Sequence, residues 1–179
     1  MSAVEIDPSY PIGEYEPRPF TTEQKIEWLA DIKFLPVLLE NALLNLDEAQ
    51  LQTPYREGGW TVHQLVHHIA DSHMNAYIRF KLGLTEDNPV IKPYDEKLWA
   101  ELHDVNKLPV NISVTLLPAL HLRWHAMLKY MTYDEWNHPT VFPPEQKKTM
   151  RLWYLLGMYA WHGKHHVAHI TALIERMGW

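Results

Sequence analysis

Ile26, Leu29, Ile32, Leu35, Leu39, Ala42, Leu43 and Leu46 recur every three or four positions. That spacing puts them on one face of a helix. Thr21 or Thr22 can cap it, with Glu23 at its start and an acidic first turn. Pro36 falls inside the pattern and is expected to kink or split the helix. The polar stretch DEAQLQTPYREGG is a loop. A second helix starts at Thr61, where Thr61-x-x-Gln64 is a capping box, and runs to about Leu84. NPVIKPYDE is a connection, residues 95–103 form a short helix, and NKLPVN breaks the chain again. A third long helix covers about 114–131 through Leu116, Leu117, Leu120, Trp124, Met127 and Leu128, with Pro118 in its first turn. NHPTVFPPEQKK, residues 137–148, reads as a loop or irregular strand. The last helix runs from Thr149 to Met177 and ends at Gly178.

No period-two alternation persists and no internal repeat is evident. Four long amphipathic helices with polar connections imply an all-α four-helix bundle, expected as one domain over 1–179. Residues 1–20 carry Pro8, Pro11, Pro17 and Pro19 and read as an extended N-terminal arm lying on the domain surface.

Composition narrows the function classes. The chain has no cysteine, which excludes disulfides and thiolate metal sites and fits a reducing compartment. MSAVEIDPSYPIGEY lacks the apolar core of a signal peptide, and no run approaches the ~20 apolar residues of a membrane span. The net charge is −6 with no basic run, so the electrostatic footprint of a nucleic-acid binder is missing. We expect a cytoplasmic protein with a small-molecule substrate and neither membrane nor nucleic acid as partner.

The chemistry lies in the histidines. WHGKHHVAHI, residues 161–170, holds His162, His165, His166 and His169. On a helical wheel His162 and His166 fall on the packed side with Leu155, Tyr159, Ile170 and Leu173. His165 falls with Arg151, Lys164, Glu175 and Arg176, and His169 at the border. His162 and His166 are an i,i+4 pair, the spacing by which two helical histidines hold one metal ion. The glutamate of a metalloprotease H-E-x-x-H is absent, because position 163 is Gly. A second cluster, HQLVHHIADSH, places His68, Ser72, Asn75 and Arg79 on one polar line beside an apolar arc. His63, His67, Asp71 and Lys81 lie on a more open side. His68 is preferred over His67 as a ligand by one residue of rotation. His68, His162 and His166 together would form a neutral three-imidazole site with an open coordination position, the catalytic pattern. Such a site can activate water or hold a thiolate. Asn75, Ser72 and Arg79 would face the same cavity, the arginine suiting an anionic group.

Blander accounts compete. H-x-x-x-H arises by chance in a histidine-rich helix, and an inward histidine is usually a hydrogen-bonded core residue. His73, His103, His121, His125 and His138 are expected to be structural or exposed, most tryptophans to fill the core, and Asp134 and Glu135 to be a solvated helix end.

YPIGEY at 10–15, TPYREGGWTVHQLVHHIADSHMNAYIRFKL at 53–82, IKPYDEK at 91–97 and WHGKHHVAHI at 161–170 resemble the DinB-like superfamily, in particular its YfiT-type metal-dependent hydrolases, over essentially the whole chain. The resemblance implies a four-helix bundle, usually homodimeric, with one divalent metal ion per subunit. Its ligands would be one histidine of the second helix, His68, and the pair His162 and His166. Where many DinB-like proteins carry glutamine three residues after the last ligand, this chain has His169. Other branches depend on thiols, and the YfiT type is similar to the bacillithiol S-transferase branch. The expectations are therefore a hydrolase activating water, a bacillithiol-type S-transferase activating a cofactor thiol, or a non-catalytic metal-binding stress-response module. Zinc is the expected ion, with nickel or iron as alternatives. Asn75, Arg79 and His169 are the candidate catalytic residues, with His169 or a second water as the proton acceptor.

Overall fold

The structure is a computed structural model and describes residues 7–141 and 149–179. Its long helices are α1 (Thr22–Leu43), α3 (Val62–Thr85), α6 (Asn111–Lys129) and α8 (Leu152–Met177). Short helices α2 (Glu48–Leu51), α4 (Glu96–Trp99), α5 (His103–Lys107) and α7 (Tyr133–Trp136) sit in the connections. A two-stranded antiparallel ribbon, β1 (Pro139–Val141) and β2 (Thr149–Arg151), pairs Thr140 with Met150 and precedes α8. No described helix is long and apolar enough to cross a membrane.

Local chemistry sets the helix ends. Thr21 accepts from the Gln24 amide. Thr61 and Gln64 form the expected capping box, each satisfying an amide that the first turn leaves unpaired. Gly178 stops α8 at φ 69°, where a side chain would be strained.

Several boundaries differ from expectation. Pro36 neither splits nor ends α1, which is continuous and keeps Pro36 buried. The first helix stops at Leu43, short of Leu46. α6 begins three residues before the expected 114 and ends at Lys129, so Pro118 stands in its interior, on an exposed side. The region 95–103 holds one helical turn, and a second, α5, forms where NKLPVN was expected to begin a break. The last helix starts at Leu152, because Thr149–Arg151 are taken into the ribbon. The loop expected over 137–148 opens with β1; residues 142–148 lie outside those described, as do residues 1–6 of the arm. Residues 7–20 form turns and extended chain along α8, where the Trp161 indole donates to the Gly13 carbonyl at 3.2 Å.

α1 packs against α6 and α8, and α3 against α6 and α8. Two apolar clusters result. One holds Trp28, Ile32, Phe80, Trp124, Trp136 and Leu152; the other Leu35, Leu39, Leu65, Ile69, Leu117 and Ile170. Histidines fall between them: His121 lies between Leu117 and Trp124 on α6, His73 between Ala70 and Ala76 on α3, and His162 to His169 between Ala160 and Ile170 on α8.

Candidate metal centre

α3 and α8 bring His68, His162 and His166 together, with one ring nitrogen of each lying within 4.8 Å of the others. The rings of His68 and His166 meet edge to face at 5.0 Å between centroids, and Nε2 of His166 is 3.0 Å from Nε2 of His162. Burial holds His68 down at about 4, well below the ordinary imidazole value. It also pushes His162 and His166 well below the ordinary imidazole value, reinforced by neighbouring imidazoles. All three are therefore neutral near pH 7 and offer a lone pair without first losing a proton. Nδ1 of His166 is buried and has no hydrogen-bond partner among the described residues. Close neutral nitrogens with an orphaned donor atom among them suit a borderline divalent ion.

The triad forms part of the lining of an open cavity of about 420 Å³, with Trp60, Ser72, Arg79, Tyr94, Tyr159, Trp161 and His165 among the other residues around it. Trp60 packs on His68 at 4.6 Å. Arg79 donates to the Tyr159 hydroxyl and, at 3.3 Å, to the Lys92 carbonyl. Its guanidinium thus stays partly exposed at the cavity wall in a fixed orientation.

Asn75 is not on this wall. Its side chain turns back to donate to the Asp71 carbonyl at 2.9 Å, one turn earlier on the same helix, a bond that competes with projection into the cavity. His169 is also elsewhere. It packs on Tyr55 at 4.1 Å and places Nε2 3.1 Å from Nε2 of His165. His165, His166 and His169 make a second set of mutually close nitrogens, so His166 belongs to both sets.

The wheel misjudged three histidines. His165 is buried, stacked on Trp161 at 4.5 Å with Tyr10 of the arm above it at 6.0 Å. His63 and His67 are buried too, held by the Val105 carbonyl at 2.7 Å, and by Ser113 Oγ at 2.8 Å and the Leu108 carbonyl at 3.2 Å. The covering groups come from 40 or more residues away, which a single-helix wheel does not contain. Of the histidines expected to be structural or exposed, His103 is exposed, His125 half-buried, and His138 meets the Gly83 carbonyl at 3.1 Å. His73 and His121 are fully buried and form a hydrogen-bonded line to His162. Their spacing on α3 and α6 carries no signal for this, and neither Trp60 nor Tyr94 sits on a helix whose periodicity would have pointed to the cavity.

Residues 33–170 match the sequence profile of the DinB superfamily. Over 172 residues the chain is 50% identical to YfiT of Bacillus subtilis, covering 96% of each. Over 171 residues it is 51% identical to a relative from Oceanobacillus iheyensis, covering 95% of this chain and 98% of the other. Both carry the name "Putative metal-dependent hydrolase". A solved structure of the Bacillus subtilis YfiT superposes with a TM-score of 0.92 at 50% identity, covering 96% of this chain and 98% of that one. It is described as having "an unusual four-helix bundle topology".

Proposed function

The chain belongs to the DinB superfamily, and we propose that it is a metal-dependent hydrolase of small molecules whose one divalent ion is held by His68, His162 and His166. The observation that carries this is the convergence of three neutral imidazole nitrogens within 4.8 Å beside a cavity of about 420 Å³. When bound, the ion supplies Lewis acidity that ionises a nucleophile at neutral pH.

The surrounding residues define what the cavity accepts. Trp60, Tyr94 and Trp161 give it aromatic walls for an apolar substrate body. Arg79, held by Tyr159 and the Lys92 carbonyl, takes an anionic group on the substrate and orients it. His165 is the lining imidazole outside the triad. Burial keeps it neutral, its Nδ1 has no partner among the described residues, and its Nε2 faces His169. We assign it the proton acceptor's role, with His169 behind it.

Metal content of the untagged protein, measured by mass spectrometry beside His68→Ala and His166→Ala, tests the centre. About one ion per chain is expected, absent from both variants; zinc is the ion proposed, with nickel and iron distinguished by the same spectrum. A wild-type protein that neither contains an ion nor takes one up at micromolar concentration overturns the proposal. Hydrolytic turnover of small anionic esters and amides is then assayed with and without bacillithiol. Because the chain has no cysteine, sulfur chemistry requires an external thiol, and turnover only in its presence would assign an S-transferase instead. The homodimer is part of the proposal and is checked by light scattering.

A further inference from the structure

Pro36 has no amide hydrogen, so the carbonyl of Ile32, four residues earlier in α1, lacks its usual partner within the helix. His121 of α6 takes that place, with Nδ1 2.6 Å from the Ile32 oxygen. A carbonyl only accepts, so His121 carries its hydrogen on Nδ1, and as a neutral ring it has only a lone pair on Nε2. That lone pair lies 2.9 Å from Nδ1 of His73, which must therefore donate. Nε2 of His73 is left as an acceptor, 3.4 Å from Nδ1 of His162. His162 in turn donates from Nδ1 and keeps a lone pair on Nε2, the nitrogen that faces His166. His73 and His121 are 0% and 1% exposed, so solvent has no access to reverse the direction of the line.

We propose that the Ile32 carbonyl freed by Pro36, together with His121 and His73, forms a relay that fixes the tautomer and ring orientation of His162, leaving its Nε2 free to bind a metal ion. His73 and His121 are positioning residues in this arrangement. Their effect on metal affinity rests on His162 being a ligand; their effect on its tautomer does not. A ligating histidine ordinarily donates its second N–H to a carboxylate, carbonyl or water, and loss of such a partner costs about 10- to 100-fold in affinity. Here the partner is another histidine, and the terminal acceptor is a carbonyl on a different helix.

Two-bond nitrogen–proton spectra of the metal-free wild-type protein read the tautomer directly. His162 is expected to be protonated at Nδ1; protonation at Nε2 overturns the relay. Zinc affinity is then measured against a competing chromophoric chelator for His73→Leu, which cannot accept from His162, and His73→Gln, which can. We expect zinc binding weakened about 10- to 100-fold by leucine, with a mixed His162 tautomer, and largely restored by glutamine. A folded His73→Leu protein with wild-type affinity and an unchanged His162 spectrum overturns the proposal. Should leucine prevent folding, the wild-type spectrum and the glutamine variant decide. Should the wild type bind no zinc, the proposed metal centre fails, while Nδ1 protonation of His162 still upholds the relay.

Discussion

Arg79 of α3 donates a hydrogen bond to the hydroxyl of Tyr159 of α8, joining the two helices that carry the candidate ligands. Tyr159 is 3% exposed, so removing the arginine strands a buried hydroxyl. Arg79→Met is expected to lower stability by about 1–3 kcal/mol. Adding Tyr159→Phe removes the stranded group, so the double variant should be more stable than Arg79→Met alone. Urea unfolding of the four proteins of this cycle measures the coupling; strict additivity of the two changes would contradict it.

His166 stands in two sets of close nitrogens, and the variants that separate them differ in one position each. If the ion sits with His68 and His162, His68→Ala abolishes metal binding and His169→Ala leaves about one ion per chain. The opposite pattern would place the ion with His165 and His169. Metal content of the two variants after identical purification distinguishes the cases.

Acid should destabilise the metal-free protein. Burial lowers His68, His121 and His169 to about 4 from the ordinary 6.5, and holds His73, His162 and His166 well below that ordinary value too. A group with a folded-state pKa below its unfolded value binds fewer protons when folded, so stability falls as pH drops through the interval between them. For His68, His121 and His169 the loss begins near 6.5 and continues to about 4. Asp71, pushed up to about 6 by burial, acts in the opposite direction, but the histidines outnumber it. The urea midpoint should decline from about pH 7 to about pH 5, and zinc should steepen that decline because protons compete for its ligands. A flat profile would show that the imidazoles are solvated.

Gly163 lies between two proposed ligands at the contact of α8 with α1. A Cβ there would stand 2.7 Å from Cδ2 and 2.9 Å from Cδ1 of Leu35, which is 2% exposed and packed in the apolar cluster below. Gly163→Ala would gain helix propensity of up to about 1 kcal/mol, yet overpacking of a closed core costs about 1–3 kcal/mol. We expect net destabilisation in thermal unfolding, together with weaker zinc binding as α8 is displaced. A stabilised variant would mean that Leu35 has room to move. The same contact explains why no larger residue occupies the position that holds glutamate in H-E-x-x-H.

The sequence by itself determined the elements whose causes are local. Apolar spacing of three and four marks α1, α3, α6 and α8; Thr61 and Gln64 announce their capping box; Gly178 ends the chain's last helix. The i,i+4 pair His162 and His166 and the polar line through His68 and Arg79 are likewise consequences of one helix's geometry. Tertiary structure decided what a wheel has no means to register. The arm and Trp161 bury His165, which its own helix places among charged residues, and the segment from Val105 to Ser113 buries His63 and His67. Asn75 leaves the cavity for a carbonyl one turn away. Pro36 reads in sequence as a helix breaker; in the bundle, His121 fills the hydrogen bond it vacates. Burial of a polar side chain depends on which distant segment covers it, and periodicity within a single element carries no information about that partner.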